Sequence, residues 1–190
     1  SGAAFLNESA TLKQLQDQQA TGDYDIVHIA THADFASGAP ENSFIQLWDQ
    51  PLRLNMFRDQ GWDQSSNPSL MVLSACQTGL GNDEAELGFA GFAVQSGVQS
   101  ALASLWNVND LGTVLLMTEF YQNLQTSMTR SEALRQAQLS MLRGQASLDN
   151  SQLLWSGGTH DAPTGLGWSD SREFTHPYYW SGFTMVGSPW

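Results

Sequence analysis

The sequence has 190 residues, of which 41% are hydrophobic, and it carries 19 acidic side chains against 7 basic ones. This length suits one domain with a substantial core. The net charge of -12 repels phosphate backbones and anionic lipid, so we expect neither nucleic acid nor a membrane as a partner. A basic segment of a protein substrate suits this charge better, although a merely solvated acidic surface explains the charge equally well.

Two further features narrow the class of protein. No apolar run approaches the roughly 20 residues that would span a bilayer, and the first residues lack the pattern of a signal peptide, so we expect a cytoplasmic protein. The single cysteine cannot form an internal disulfide or a zinc site of several thiolates. This thiol is therefore either packed in the core or chemically reactive.

The hydrophobic pattern predicts helices and strands that alternate along the chain. Helices are predicted at residues 9–15, 84–96, 111–126 and 129–143. Short apolar or β-branched runs predict strands at residues 25–30, 44–48, 70–73, 100–104 and 179–186. Gly97 and Gly144 stand where two of the helices should end, and Thr129 with Glu132 has the spacing of a capping box.

Residues 145–175 differ from the rest of the chain. They are rich in Gly, Ser, Asp and Trp and show no helical or strand period. We therefore expect a long loop or insertion there, with too little apolar surface to become ordered by itself.

Alternating strands and helices favour an α/β sandwich with a mostly parallel central sheet flanked by helices, in one domain over residues 1–190. In such sheets, sites collect at the carboxyl ends of the strands. His32 follows one predicted buried strand and Cys76 follows the next. If these strands are neighbours, both side chains emerge at the same edge of the sheet.

A thiol beside an imidazole is a nucleophile with its base. The ordinary thiol pKa is about 8.5, and a nearby imidazole raises the thiolate fraction or takes the proton during attack. The backbone N–H groups of Ala33 and Cys76 are candidates to stabilise the oxyanion. A lone cysteine after a strand more often packs in a core, so the nearby histidine is what favours catalysis.

Other motifs favour ordinary structural roles. His28 and His32 would be about 13 Å apart on a strand, too far to share one metal ion, so we expect no metal site and a core or supporting role for His28. The sequence contains no complete phosphate-binding loop and no serine nucleophile elbow. Most tryptophans should anchor the core, but Trp106 follows the third predicted buried strand and is a candidate to line a substrate pocket.

Six ordered motifs carry a more specific resemblance. They are His28-Ile-Ala-Thr-His32, Leu73-Ser-Ala-Cys-Gln-Thr-Gly79, Ala103-Ser-Leu-Trp-Asn-Val-Asn-Asp110, Phe120-Tyr121, Glu132-Ala-Leu-Arg-Gln-Ala-Gln138 and His176-Pro-Tyr-Tyr-Trp-Ser-Gly-Phe183. Over residues 7–187 the sequence resembles the CHAT family, which is caspase-like, is related to separases and commonly follows tetratricopeptide repeats.

The resemblance implies a caspase-like fold and peptide-bond hydrolysis by a dyad of His32 and Cys76, through a thioester acyl-enzyme and without a metal or organic cofactor. The resemblance to separases implies that an acid at Asp110 helps form the primary specificity pocket, which would favour cleavage after Arg. The alternative is that Asp110 merely caps the following helix. A second alternative for the whole chain is a catalytically silent caspase-like interaction module.

Two departures from the family pattern bear on these expectations. The residue after the proposed base is often Gly in the family and is Ala33 here. A family member would also have an opening strand and helix before Ser1, so we expect the chain to begin inside its domain. An upstream repeat or regulatory region of the same protein is then an expected partner beside the protein substrate.

Overall fold

A computed structural model describes residues 2–21, 24–34, 42–58, 68–74, 83–126, 128–162 and 171–190. Its helices are α1 (Leu12–Thr21), α2 (Leu54–Arg58), α3 (Asp83–Gln95), α4 (Asp110–Leu124) and α5 (Arg130–Leu142). Its strands are β1 (Ile26–Ile29), β2 (Ala33–Asp34), β3 (Phe44–Gln46), β4 (Pro51–Arg53), β5 (Leu70–Leu73), β6 (Ser100–Ser104), β7 (Ser147–Asp149), β8 (Gln152–Trp155), β9 (Gly158–Asp161), β10 (Arg172–Glu173) and β11 (Phe183–Gly187). In this part of the chain no helix is both long and apolar enough to cross a membrane.

The central sheet has the strand order β1-β5-β6-β11. β1, β5 and β6 run parallel, and β11 pairs antiparallel with β6. Every residue of β5 and β6 is buried, as expected of parallel strands covered on both faces. The predicted α/β fold with a mostly parallel central sheet flanked by helices is confirmed, and β5 and β6 have the predicted bounds.

The chain divides into two compact units. One comprises Ser1–Asn107 with Phe183–Ser188, and the other comprises Val108–Gly182 with Pro189–Trp190. The central sheet and the small antiparallel sheet β2-β3-β4 belong to the first unit. A single domain over residues 1–190 stays a prediction.

Small residues allow α3 to pack closely on the central sheet. Ala90 and Ala93 of α3 are fully buried in one hydrophobic cluster with Met71, Ala101 and other sheet residues. The helix then ends at the predicted glycine. Gly97 has a φ of 109°, and the N–H of the next residue, Val98, donates to the Ala93 carbonyl at 3.1 Å.

The predicted loop at 145–175 is wrong where the structure describes it, because β7, β8, β9 and β10 form an antiparallel sheet in the order β10-β7-β8-β9. Asn150 and Ser151 have positive φ values of 48° and 63°, as a two-residue hairpin turn requires. This turn lets the buried Leu148 and Leu153 pair across β7 and β8. Residues 163–170 lie outside the described residues.

A buried carboxylate joins three elements of the second unit. Glu119 in α4 is 1% exposed, and its Oε1 accepts hydrogen bonds from Ser140 Oγ of α5 and from the Ser156 N–H, both at 2.8 Å. Its Oε2 accepts a hydrogen bond at 2.6 Å from the hydroxyl of Ser156, the residue directly after β8. Because a buried carboxylate is costly without such donors, these bonds specify how α4, α5 and the β8–β9 turn fit together.

We predict that Glu119→Ala lowers the free energy of unfolding by about 3 kcal/mol, because it removes the acceptor of three hydrogen bonds and leaves the buried Ser140 hydroxyl without that partner. Ser140→Ala removes one donor and leaves the Ser156 bonds, so we expect a loss of about 1 kcal/mol. Urea denaturation followed by circular dichroism measures both values. If Glu119→Ala lowers the free energy of unfolding by less than Ser140→Ala does, the carboxylate does not organise this unit.

Candidate active site

The carboxyl ends of β1, β5 and β6 form one edge of the central sheet, which we call the rim. The registers align Ile29 with Leu73 and Leu73 with Ala103, so these residues form one row across the three strands. His32, Cys76 and Trp106 each lie three residues beyond their member of this row. Cys76 itself lies outside the described residues.

The backbone of the His32 segment is held by β3. The His32 carbonyl accepts a hydrogen bond from the Gln46 N–H at 2.8 Å, and Thr31 Oγ1 donates to the Gln46 carbonyl at 2.7 Å. The His32 side chain is exposed. An imidazole on a fixed backbone and in contact with water can take a proton from a neighbouring group and release it to solvent.

Ala33, the first residue of β2, pairs with Ile45 of β3 and is buried. In the trans peptide group that joins His32 to Ala33, the C=O and the N–H point in opposite directions, and the His32 carbonyl bonds to β3. The Ala33 N–H therefore points away from β3. Since β2 is extended, an alanine at this position causes no backbone strain.

Ser74 is the first residue after β5 and is held to β1 by two bonds. Its N–H donates to the Ile29 carbonyl at 3.2 Å, and its Oγ lies 2.8 Å from His28 Nε2. Desolvation by surrounding protein atoms lowers the pKa of His28, although the residue as a whole remains exposed. The sequence indicated a supporting role for His28 but not its partner, since Ser74 is 46 residues away along the chain.

Trp106 lies in the bend that directly follows β6 and is half-buried. Its position after β6 at the rim is the predicted one. A role in lining a substrate pocket stays a prediction.

Asp110 is exposed and is the first residue of α4, in the second unit. Its expected alternative role as the helix cap is wrong, because Asn109 is the N-cap. The Asn109 side chain accepts a hydrogen bond from the Gly112 N–H at 3.1 Å. Asn and Asp are both good N-cap residues and are adjacent here. The sequence pattern alone therefore does not decide which of them is the N-cap and which is the first residue of the helix.

A groove of about 750 Å³ lies in the first unit beside β1. Its walls are formed mainly by β1, by α1 and by the segment before α1, with residues 46–48 at and after the end of β3, and they include His28 and Gln19. Its described lining contains no Asp, Glu, Lys or Arg. Elsewhere too, no group of three or more His, Cys, Asp or Glu side chains among the described residues could hold a metal ion.

Comparisons with known proteins add one finding. A family model described as the CHAT domain matches residues 1–188. The search of curated proteins finds no match.

We predict that Asn109→Ala lowers the free energy of unfolding by about 1 kcal/mol, because it removes the cap of α4. Asp110→Ala removes only an acid in the first turn of the helix and should cost about 0.5 kcal/mol or less. Parallel urea denaturation curves of the two variants check this order. A larger loss for Asp110→Ala would return the capping role to that residue.

Proposed function

The chain belongs to the CHAT domain family, and we propose that it is a cysteine endopeptidase with Cys76 as nucleophile and His32 as general base. The CHAT domain is caspase-like and related to cysteine peptidases. The observation that carries the proposal is the parallel register of β1 and β5. This register aligns Ile29 with Leu73. His32 follows Ile29 by three residues, and Cys76 follows Leu73 by three residues.

The proposed reaction has two stages. His32 takes the proton of the Cys76 thiol, and the sulfur attacks the scissile carbonyl to give a tetrahedral oxyanion. When the oxyanion collapses, the amine leaves with a proton from His32 and a thioester remains on Cys76. Water, deprotonated by His32, then hydrolyses the thioester and restores the thiol. This sequence balances with protein groups and water alone.

Two backbone N–H groups are proposed to stabilise the oxyanion, those of Ala33 and Cys76. The direction of the Ala33 N–H, away from β3, supports its part in this role. A neutral donor that does not have to reorganise during the reaction stabilises developing charge efficiently. The bonds of Thr31 and His32 to Gln46 provide the necessary rigidity.

Specificity for Arg before the cleaved bond is the finer part of the proposal. The Asp110 carboxylate is exposed, and the cap of α4 is supplied by Asn109, so Asp110 remains available for a substrate cation. Arg can make a bidentate, charge-assisted pair with a carboxylate, whereas Lys offers a point charge. The half-buried Trp106 is proposed to pack against the apolar stem of the same side chain.

The biological setting belongs to the same proposal. We propose a protein substrate, regulation by an upstream repeat or regulatory region of the same protein, and action in the cytoplasm. These points rest on the resemblance and on the acidic net charge of -12, which favours a basic protein segment.

The dyad makes a direct prediction about the thiol. His32→Ala should slow alkylation of Cys76 by iodoacetamide at least about 10-fold at neutral pH, because the base that favours the thiolate is lost. His160→Ala removes an exposed histidine of the second unit and should leave the rate unchanged. Equal rates in the wild type and in His32→Ala would refute the dyad.

The same variants test catalysis when they are incubated with a proteome and the new protein termini are sequenced. We expect new termini with the wild type and none with Cys76→Ala or His32→Ala. A folded wild type that produces no more termini than Cys76→Ala would favour the alternative, a catalytically silent interaction module.

We predict the specificity with matched fluorogenic peptides that differ only in the residue before the cleaved bond. The peptide with Arg should be cleaved fastest, the one with Lys more slowly, and those with Leu or Asp poorly. Asp110→Asn keeps the size of the side chain and should lower kcat/KM for the Arg peptide about 10- to 100-fold, the value of a charged hydrogen bond. The low kcat/KM for the Leu peptide should be the same in Asp110→Asn as in the wild type. A Leu preference, or an Arg preference that survives Asp110→Asn, would refute the role of Asp110.

A further inference from the structure

We infer that His28 and Ser74 form a positioning pair that holds the backbone leading to Cys76 against β1. The inference rests on the proposed function, since its purpose is the placement of a nucleophile. It concerns residues that touch neither the scissile bond nor the substrate in the proposed reaction.

The contacts of Ser74 carry the inference. Ser74 is the last described residue before Cys76, and it is held both by its backbone N–H, to the Ile29 carbonyl at 3.2 Å, and by its hydroxyl, to His28 Nε2 at 2.8 Å. One hydrogen bond extends the ladder between β1 and β5. The second connects the Ser74 side chain to β1 and thereby opposes displacement of the Ser74 backbone from that strand.

The location of His28 gives this contact its consequence. His28 lies in β1, four residues before His32, and pairs in register with Val72 of β5. Ser74 therefore connects the strand that leads to the proposed base with the strand that leads to the proposed nucleophile. A displacement of either segment at this point changes the distance between His32 and Cys76, and errors of about 1 Å in such distances reduce rates up to about 100-fold.

The chemistry of the pair suits a fixed contact. A lowered pKa keeps His28 neutral at pH 7, so its ring carries one donor and one acceptor nitrogen. Either tautomer can satisfy the Ser74 hydroxyl, which both donates and accepts. The contact is thus maintained without placing a second positive charge beside the dyad.

The molecule also contains a matched control at the opposite ends of the same strands. Ser69, just before β5, donates its hydroxyl to the Asp25 carbonyl at 3.1 Å, and its N–H donates to the same carbonyl at 2.8 Å. Ser69 and Ser74 thus both connect β5 to β1. Only the contact of Ser74 lies at the rim.

The experiment compares Ser74→Ala, Ser74→Thr, His28→Ala, His28→Gln and Ser69→Ala in the full chain. Three quantities are measured, which are the thermal midpoint, the rate of Cys76 alkylation by iodoacetamide between pH 5 and 9, and kcat and KM for the best peptide. We expect Ser74→Ala and His28→Ala each to lower kcat and the alkylation rate about 10- to 100-fold with KM nearly unchanged. Ser74→Thr keeps the hydroxyl and His28→Gln keeps a polar atom near the Nε2 position, so both should recover most of the rate.

The double variant and the control separate positioning from stability. His28→Ala combined with Ser74→Ala should be no slower than His28→Ala alone, because the contact that Ser74→Ala removes is already lost in that variant. Ser69→Ala should lower the thermal midpoint and leave the alkylation rate unchanged. Equal loss of Cys76 reactivity in Ser69→Ala and Ser74→Ala, or no loss in Ser74→Ala, would overturn the inference.

The two proposals fail in different ways. If the wild type cleaves peptides and Ser74→Ala cleaves them equally well, the positioning pair is refuted and the peptidase stands. If the wild type cleaves nothing but Ser74→Ala, unlike Ser69→Ala, still lowers the rate of Cys76 alkylation, the peptidase is refuted and the positioning pair stands.

Discussion

The parallel pairing of β1, β5 and β6 is the constraint on which the rest of the first unit depends. These three strands have their carboxyl ends at one edge, so the residues that directly follow them, such as Ser74, begin side by side whatever their separation in sequence. The pairing is stabilised by apolar side chains on both faces of β5, where Met71 and Val72 are fully buried. Because a shift of one residue would turn these side chains to opposite faces, burial fixes the register, and the register fixes the rim.

The second unit is specified by a different kind of interaction. There the carboxylate of Glu119 accepts hydrogen bonds from α5 and from the turn after β8. Apolar burial tolerates small shifts between elements, whereas a buried carboxylate requires its donors at defined positions. The β7–β10 sheet contains short strands with exposed edges, and all four residues of β9 are exposed. A directional contact therefore stabilises this sheet where apolar area is small.

How far the sequence predicts this protein depends on how local each determinant is. β5 and β6 are continuous apolar or small-residue runs, so their bounds follow from pattern alone. β7 and β8 were missed because their hairpin depends on two positive φ values, at Asn150 and Ser151, and neither is the usual Gly. β11 starts later than predicted, since Pro177–Tyr179 forms a 3-10 turn in which the Tyr178 N–H donates to the His176 ring. For the site, strand order predicts His32 and Trp106 at the rim, but the contact of Ser74 with His28 required the register itself.

The position of β11 has a consequence for how the protein is made. This strand closes the sheet by pairing with β6 along five aligned residues, from Phe183 with Ser104 to Gly187 with Ser100. Its last residue is a glycine at φ 98°, where a Cβ would lie 2.4 Å from the Gln99 carbonyl oxygen. During synthesis β6 emerges long before its partner, so a nascent chain carries an open, apolar strand edge while residues 108–182 are translated. Non-local pairing of this kind also slows folding, so the edge of β6 is most open to incorrect pairing in the interval before β11 is made.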